Sequence, residues 1–216
     1  GRWPIFHGRI KSCANGNQRI DSGRATAQMS LQPATLQDRF GRKIEYLRLS
    51  VTDRCDLRCG YCMPRGFTDF EDPRHWLDFD EIERIVRIFA REGVSKIRLT
   101  GGEPLLRRGL PDLAGRIHRI PGIKDLSLST NGTQLAVNAA ALKRAGVSRL
   151  NVSLDSLRSE RFGSITGRKA LQSVLDGLMA AKQAGFAPIK INMVVLRGVN
   201  DDEIDDMAAF CIRHGF

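Results

Sequence analysis

Short apolar runs alternate with helical patterns along most of this chain, and glycines close the helices just before the next run begins. Gly93, Gly122, Gly146 and Gly185 are the stops, and residues 95–100, 126–130, 150–155 and 189–196 are the strand-like runs that follow. Asp78 and Glu81 form a capping box ahead of Ile82, Ile85, Val86 and Phe89 at helical spacing. Leu171, Val174, Leu175 and Leu178 make a second apolar stripe. Strands and helices in strict alternation call for a parallel sheet, because a parallel connection needs a crossover element. The fold class is therefore α/β, as a full or partial βα barrel or an open doubly wound sheet.

The period inside the strands chooses between these. Polar residues alternate with Leu, Ile or Val at Arg48, Arg98, Ser127, Ser129, Asn151, Ser153 and Lys190. A sheet covered by helices on both faces reads as nearly continuous apolar strands, and these do not. Their apolar face turns to an outer layer of helices and their polar face to a lumen. A closed eight-stranded barrel fills its interior with branched apolar side chains, so a polar lining predicts a splayed, partial barrel over residues 36–216. Arg48, Arg98 and Lys190 then point inward from three strands. Buried unpaired charge is costly, so the lumen calls for an anionic ligand or for internal carboxylates such as Asp155 and Glu103.

Cys55, Cys59 and Cys62, spaced C-x3-C-x2-C, stand just past the end of a strand. Thiolates suit zinc or an iron–sulfur cluster, and either centre ordinarily takes four protein ligands. Zinc would need a fourth donor, and the nearest downstream, His75 and Cys211, have neither finger nor ribbon spacing. A cluster on three thiolates keeps one iron open for a ligand that is not protein. Cys13 falls in the leader. Cys211 falls on the stripe Ile204, Met207, Ala208, Cys211 and Ile212, which predicts a buried core thiol.

With 216 residues and 42% hydrophobic content, the chain has the material for one sizeable core. Few cysteines in a chain of this length disfavour a disulfide-stapled secreted domain and predict a cytoplasmic protein. No apolar run approaches a membrane span. The net charge of +10 is uneven, since residues 1–28 carry five Arg or Lys against Asp21 alone. That weakens a nucleic-acid reading, and neither nucleic acid nor membrane is expected as a partner. Residues 1–35 read as a leader or upstream extension. The closing His214, Gly215 and Phe216 repeat the helix stop that elsewhere precedes a strand, so the barrel is expected to continue into a C-terminal part.

After the second strand comes Thr100-Gly101-Gly102-Glu103-Pro104, where two glycines allow close approach to the backbone and Glu103 offers a carboxylate for an ammonium group. Together with the cysteines, with Tyr61 before the last of them, this resembles the radical S-adenosylmethionine (SAM) enzymes. Within them it resembles the GTP 3′,8-cyclase family of molybdenum cofactor biosynthesis, through LRLSVTDRC at 47–55, YCMP at 61–64, IRLTGGEPLLR at 97–107, TNG at 130–132, NVSLDS at 151–156 and residues 38–42 and 189–192.

The resemblance implies a [4Fe–4S] cluster on Cys55, Cys59 and Cys62 whose open iron takes the amino and carboxylate groups of SAM. It implies SAM contacts at Tyr61, Gly102, Glu103 and Ser153, and GTP contacts at Arg48, Arg98, Ser129 and Lys190. Ser129 stands where Thr is commoner, and a hydroxyl is kept. The implied reaction generates a 5′-deoxyadenosyl radical that takes hydrogen from C3′ of GTP, whereupon C3′ bonds to C8 of guanine. The family also implies a second three-cysteine [4Fe–4S] cluster and a Gly-Gly tail in the C-terminal part. Partners implied or expected are an electron donor such as flavodoxin or ferredoxin, the next enzyme of the pathway and a possible homodimer. The competing readings are a radical SAM enzyme acting on a peptide or tetrapyrrole, and a non-catalytic metal-binding module.

Overall fold

The computed structural model describes residues 36–63 and 66–216. The expected leader at 1–35, with Cys13, lies outside the described residues, as do Pro64 and Arg65. Five strands, β1 (Tyr46–Ser50), β2 (Lys96–Thr100), β3 (Asp125–Thr130), β4 (Arg149–Ser153) and β5 (Ile189–Asn192), form one parallel sheet in the order β1-β2-β3-β4-β5. That unbroken order is the barrel's, because a doubly wound sheet reverses direction part-way along. β1 and β5 remain edges, so the barrel is open.

Helix α1 (Phe79–Arg91) joins β1 to β2, α2 (Leu110–His118) joins β2 to β3, and α3 (Leu135–Arg144) joins β3 to β4. Helices α4 (Ser159–Thr166) and α5 (Leu171–Gln183) lie between β4 and β5, and α6 (Ile204–His214) follows β5. The capping box at α1 is formed from both sides: Glu81 N–H donates to Asp78 Oδ1 at 2.8 Å, and Asp78 N–H donates to Glu81 Oε2 at 2.9 Å. Gly93, Gly146 and Gly185 have positive φ two residues past the ends of α1, α3 and α5, as the stops in the sequence require, whereas Gly122, also at positive φ, lies four residues past His118 in the turn before β3 and does not end α2.

Register carries the inside and outside pattern around the sheet. Leu49, Leu99, Leu128, Leu150 and Ile189 stand opposite one another from strand to strand, and all but Leu49 are fully buried. They pack with Ile82 and Val86 of α1, Leu113 and Ile117 of α2, Leu135 and Leu142 of α3 and Val174 and Leu178 of α5. Each such side chain contributes about 1.5–3 kcal/mol by leaving water. On the other face Arg48 stands opposite Arg98, Arg98 opposite Ser127, and Ser127 opposite Arg149. Ser129 stands opposite Asn151, and Asn151 opposite Lys190. The polar rows therefore line the lumen.

Two expectations need correction. β5 ends at Asn192 and does not run to residue 196. Val194 N–H donates instead to Asp155 Oδ1, while the Asn200 side chain holds Val194 O and Leu196 N–H. On α6 the inner face is Met207, Phe210 and Cys211, leaving Ile204 and Ile212 exposed. Cys211 is half-buried against the core edge and not a fully buried thiol.

Candidate functional site

The hydrogen-bond ladder between β1 and β2 continues past both strands. Gly102 N–H donates to Thr52 O at 2.7 Å, and Glu103 N–H to Arg54 O at 2.6 Å. The cysteine loop and the G-G-E-P loop thus leave the carboxyl end of the sheet laced together, at the end where barrel folds place their sites. A Cβ on Gly101 would lie 2.4 Å from Thr52 O, and one on Gly102 would lie 2.3 Å from Arg54 O. The backbone these glycines admit is the chain's own segment 52–54, where the sequence reading expected a ligand.

The cysteine loop is tied down along its length. Leu57 is buried in the core, Arg58 N–H donates to Thr166 O at 2.7 Å, and Cys62 N–H to Cys59 O at 2.9 Å. Asp56 accepts from Asn131 Nδ2 and Thr133 Oγ1, both at 2.7 Å, and pairs with Arg168 at 3.3 Å. Tyr61 O–H donates to Asp155 Oδ2 at 2.6 Å, while Asp155, almost wholly buried, also accepts from Val194 N–H at 2.9 Å. Burial and the Asp155 partner push the Tyr61 phenol up from its ordinary pKa.

Nine of the residues singled out in the sequence line one cleft of about 400 Å³: Arg48, Cys55, Cys59, Tyr61, Cys62, Arg98, Gly102, Ser129 and Ser153. Lys190 borders a smaller adjoining hollow with Ser127, Arg149, Asn151 and Arg98, the last shared with the main cleft. Glu103 is outside both. Its carboxylate is fully buried and accepts from Thr130 Oγ1 at 2.7 Å, Asn131 N–H at 2.6 Å and Leu105 N–H at 3.0 Å. Burial nevertheless raises its pKa to about 7.

The inward cations do not find the carboxylates that could have neutralised them, since Asp155 and Glu103 are committed elsewhere. Among the described residues, Arg48, Arg98 and Lys190 make no ion pair, whereas Arg149 beside them is paired with Asp125. Arg98 reaches only Ser127 Oγ at 3.5 Å and the Tyr46 ring. Such a wall can hold an anion of several oxygens. Asn131, which the sequence reading did not place in the site, and Asp155, offered there only as a partner for the inward cations, also line the cleft. The available signal was position, because each stands just past a strand's carboxyl end.

The Radical SAM superfamily matches residues 49–211. The chain belongs to that family. It is 51% identical over 182 residues to the GTP 3′,8-cyclase of Hydrogenovibrio crunogenus and 53% identical over 177 residues to that of Geobacter sulfurreducens. These matches take in 83% and 82% of the chain but 55% and 54% of those proteins, so the chain spans about half the length of the curated relatives it matches. Among solved structures, anSMEcpe with bound AdoMet is similar with a TM-score of 0.64 at 19% identity, over 79% of this chain and 47% of that one. Streptococcus suis SuiB bound to S-adenosylmethionine follows at 0.61 and 22%, over 80% and 39%. At such identities the likeness concerns the fold, and it agrees with the partial barrel.

Membership implies a [4Fe–4S] cluster and SAM, and the donor set fits them. Three thiols share the cleft, and among the described residues no fourth cysteine or histidine lines it. Among the described residues no three His, Cys, Asp or Glu side chains converge on a single point. His75 and Cys211 are not at the cleft. Burial raises the Cys55 pKa and pushes Cys59 up to about 11, so thiolates here call for positive charge in the cleft, which the iron of a cluster would supply. Cys55 Sγ already accepts from Leu57 N–H at 3.4 Å.

Proposed function

We propose that this chain is the SAM- and nucleotide-binding part of a GTP 3′,8-cyclase of molybdenum cofactor biosynthesis. In this reading Cys55, Cys59 and Cys62 hold a [4Fe–4S] cluster, and three donors rather than four leave a position for the amino and carboxylate groups of SAM. The observation that carries the reading is the wall of unpaired cations sharing a cleft with three thiols. An uncharged peptide would not call for that much positive charge, whereas a triphosphate does, and a tetrapyrrole, whose carboxylates are anionic too, is set aside by sequence identity and not by charge. Identity of about half to relatives named for this activity supports it.

When bound, cluster and SAM would supply the 5′-deoxyadenosyl radical that takes hydrogen from C3′ of GTP, so that C3′ can bond to C8 of guanine, with a further electron from the reductant and a proton completing the product. The chain's own residues bind and orient. Arg48 and Arg98, facing each other across β1 and β2, offer two guanidinium forks to phosphate oxygens, Lys190 adds a point charge from β5, and Ser129 adds a hydroxyl. Tyr61, Gly102 and Ser153, which line the same cleft as the thiols, would hold SAM. The Tyr61–Asp155 bond keeps the aromatic ring against the cysteine loop. Glu103 acts through its loop, bracing the backbone that faces the SAM ammonium, because its carboxylate is already committed.

The C-terminal part would bring the second cluster and the Gly-Gly tail. A flavodoxin- or ferredoxin-type donor would deliver electrons, the next pathway enzyme would take the product, and a homodimer in the cytoplasm is the expected form. The full-length protein, reconstituted anaerobically with iron and sulfide and mixed with SAM, reductant and GTP, should form 5′-deoxyadenosine in proportion to GTP. Formation indifferent to GTP refutes the cyclase, and a colourless protein refutes the cluster.

A further inference from the structure

Asn131 follows the last residue of β3, and its side-chain amide can sit only one way round. Its Oδ1 accepts from Thr133 N–H at 3.0 Å, and its Nδ2 stands 2.7 Å from Asp56 Oδ1 and 3.8 Å from Cys55 Sγ. Turned over, the amide would set its oxygen against the Asp56 carboxylate and its nitrogen against the Thr133 N–H, two repulsions in place of two hydrogen bonds. One Nδ2 hydrogen is therefore used by Asp56, and the other is aimed at the Cys55 sulfur.

The surroundings hold that aim. Asn131 N–H donates to Glu103 Oε2 at 2.6 Å, and Thr130 Oγ1 donates to Glu103 Oε1 at 2.7 Å, so the buried Glu103 anchors the backbone of the turn. Asp56 also takes the Thr133 hydroxyl at 2.7 Å and the Arg168 guanidinium. Two loops and a strand end thus converge on one amide beside one thiol.

The geometry points to Asn131 as a positioning residue that delivers an N–H to the Cys55 sulfur and so sets the reduction potential of the cluster that sulfur holds. This rests on the cluster assignment above. A hydrogen bond to a ligating sulfur stabilises the added negative charge of the reduced cluster and raises its potential. The G-G-E-P carboxylate gains a purpose that needs no contact with SAM, because it fixes the residue that does the tuning.

The test uses the full-length protein and the variants Asn131→Ala, Asn131→Asp and Gln172→Ala, reconstituted alike and titrated against redox mediators with the reduced cluster followed by electron paramagnetic resonance. With iron content equal to wild type, Asn131→Ala should lower the ratio of reduced to oxidised cluster at a fixed potential about tenfold, a fall of about 59 mV for one electron. Asn131→Asp, the same size without the amide hydrogens, should move the same way. Gln172→Ala removes a side-chain amide from the exposed face of α5, where it donates to Asp176 Oδ1 at 2.9 Å, and should leave the midpoint in place. Wild-type midpoints in both Asn131 variants, or an equal shift in Gln172→Ala, overturn the proposal. Failure of both Asn131 variants to assemble a cluster that the wild type assembles also overturns it, since the amide then serves assembly. A wild-type protein that assembles none removes the cluster assignment first.

Discussion

Glu103→Gln offers a measurement in which burial and hydrogen bonding pull in opposite directions. Three donors favour the charged carboxylate, and complete exclusion from water favours the neutral acid. Burial prevails, holding the folded-state pKa at about 7 against an ordinary 4.5. Below the ordinary value both folded and unfolded chains are protonated. As pH rises from there to about 7 the unfolded chain loses its proton while the folded one keeps it, so stability is lost across that window and levels off above it. At about 1.36 kcal/mol per pH unit the loss is about 3 kcal/mol. Glu103→Gln lacks the titrating group and shares every other one. The wild type should therefore be more stable relative to the variant by about 3 kcal/mol at a pH of about 4 than at a pH of about 8, a relative shift of about 1.5 M in urea midpoint for a slope of about 2 kcal/mol/M. Urea denaturation of both proteins at the two pH values decides the matter. A constant difference, or one that grows in the wild type's favour with pH, would show that the three donors outweigh burial and that the reasoning is wrong.

Gly102→Ala sets a Cβ 2.3 Å from Arg54 O and must part the two loops, breaking two backbone hydrogen bonds. The expected loss is about 2–4 kcal/mol, read as a Tm lower by roughly 5–15 °C, and an unchanged Tm contradicts the close approach. Tyr61→Phe leaves a buried Asp155 oxygen without its donor and should cost about 1–3 kcal/mol in denaturant unfolding, whereas equality with wild type would make the Tyr61–Asp155 bond dispensable. Arg98→Ala should weaken GTP binding by about 1.5–3 kcal/mol in calorimetry while SAM cleavage persists, and parallel loss of cluster assembly would contradict its placement at the phosphates.

The strand order and the polar lumen were legible because both follow from local pattern: glycine stops, a capping box, and alternation that turned Arg48, Arg98 and Lys190 inward. The end of β5 was not, since the apolar run continues through Val194 and Val195 and is cut short by Asp155 and Asn200, side chains supplied by other segments. On α6 the sequence allowed two adjacent stripes, and packing of Phe210 with His214 and Phe216 selected the inner one. In the site, the cysteines and the two glycines were recognisable as motifs. Glu103 turned away from the cleft because it stands past the strand, where alternation no longer directs side chains. Asn131 and Asp155 acquire their roles from partners 76 and 94 residues distant, a relation that no local window contains.

The unbroken strand order has a consequence for synthesis. Each strand pairs only with those immediately before and after it, so a chain emerging from the ribosome can lay them down one by one, with little loop-closure entropy at each step. The thiols do not share that early start. Tyr61 waits for Asp155, and Arg58 for Thr166, before the cysteine loop is tethered. It follows that the loop is tethered only once α4 has been translated, and alkylation of nascent chains arrested at successive lengths would show thiol protection beginning only beyond that point.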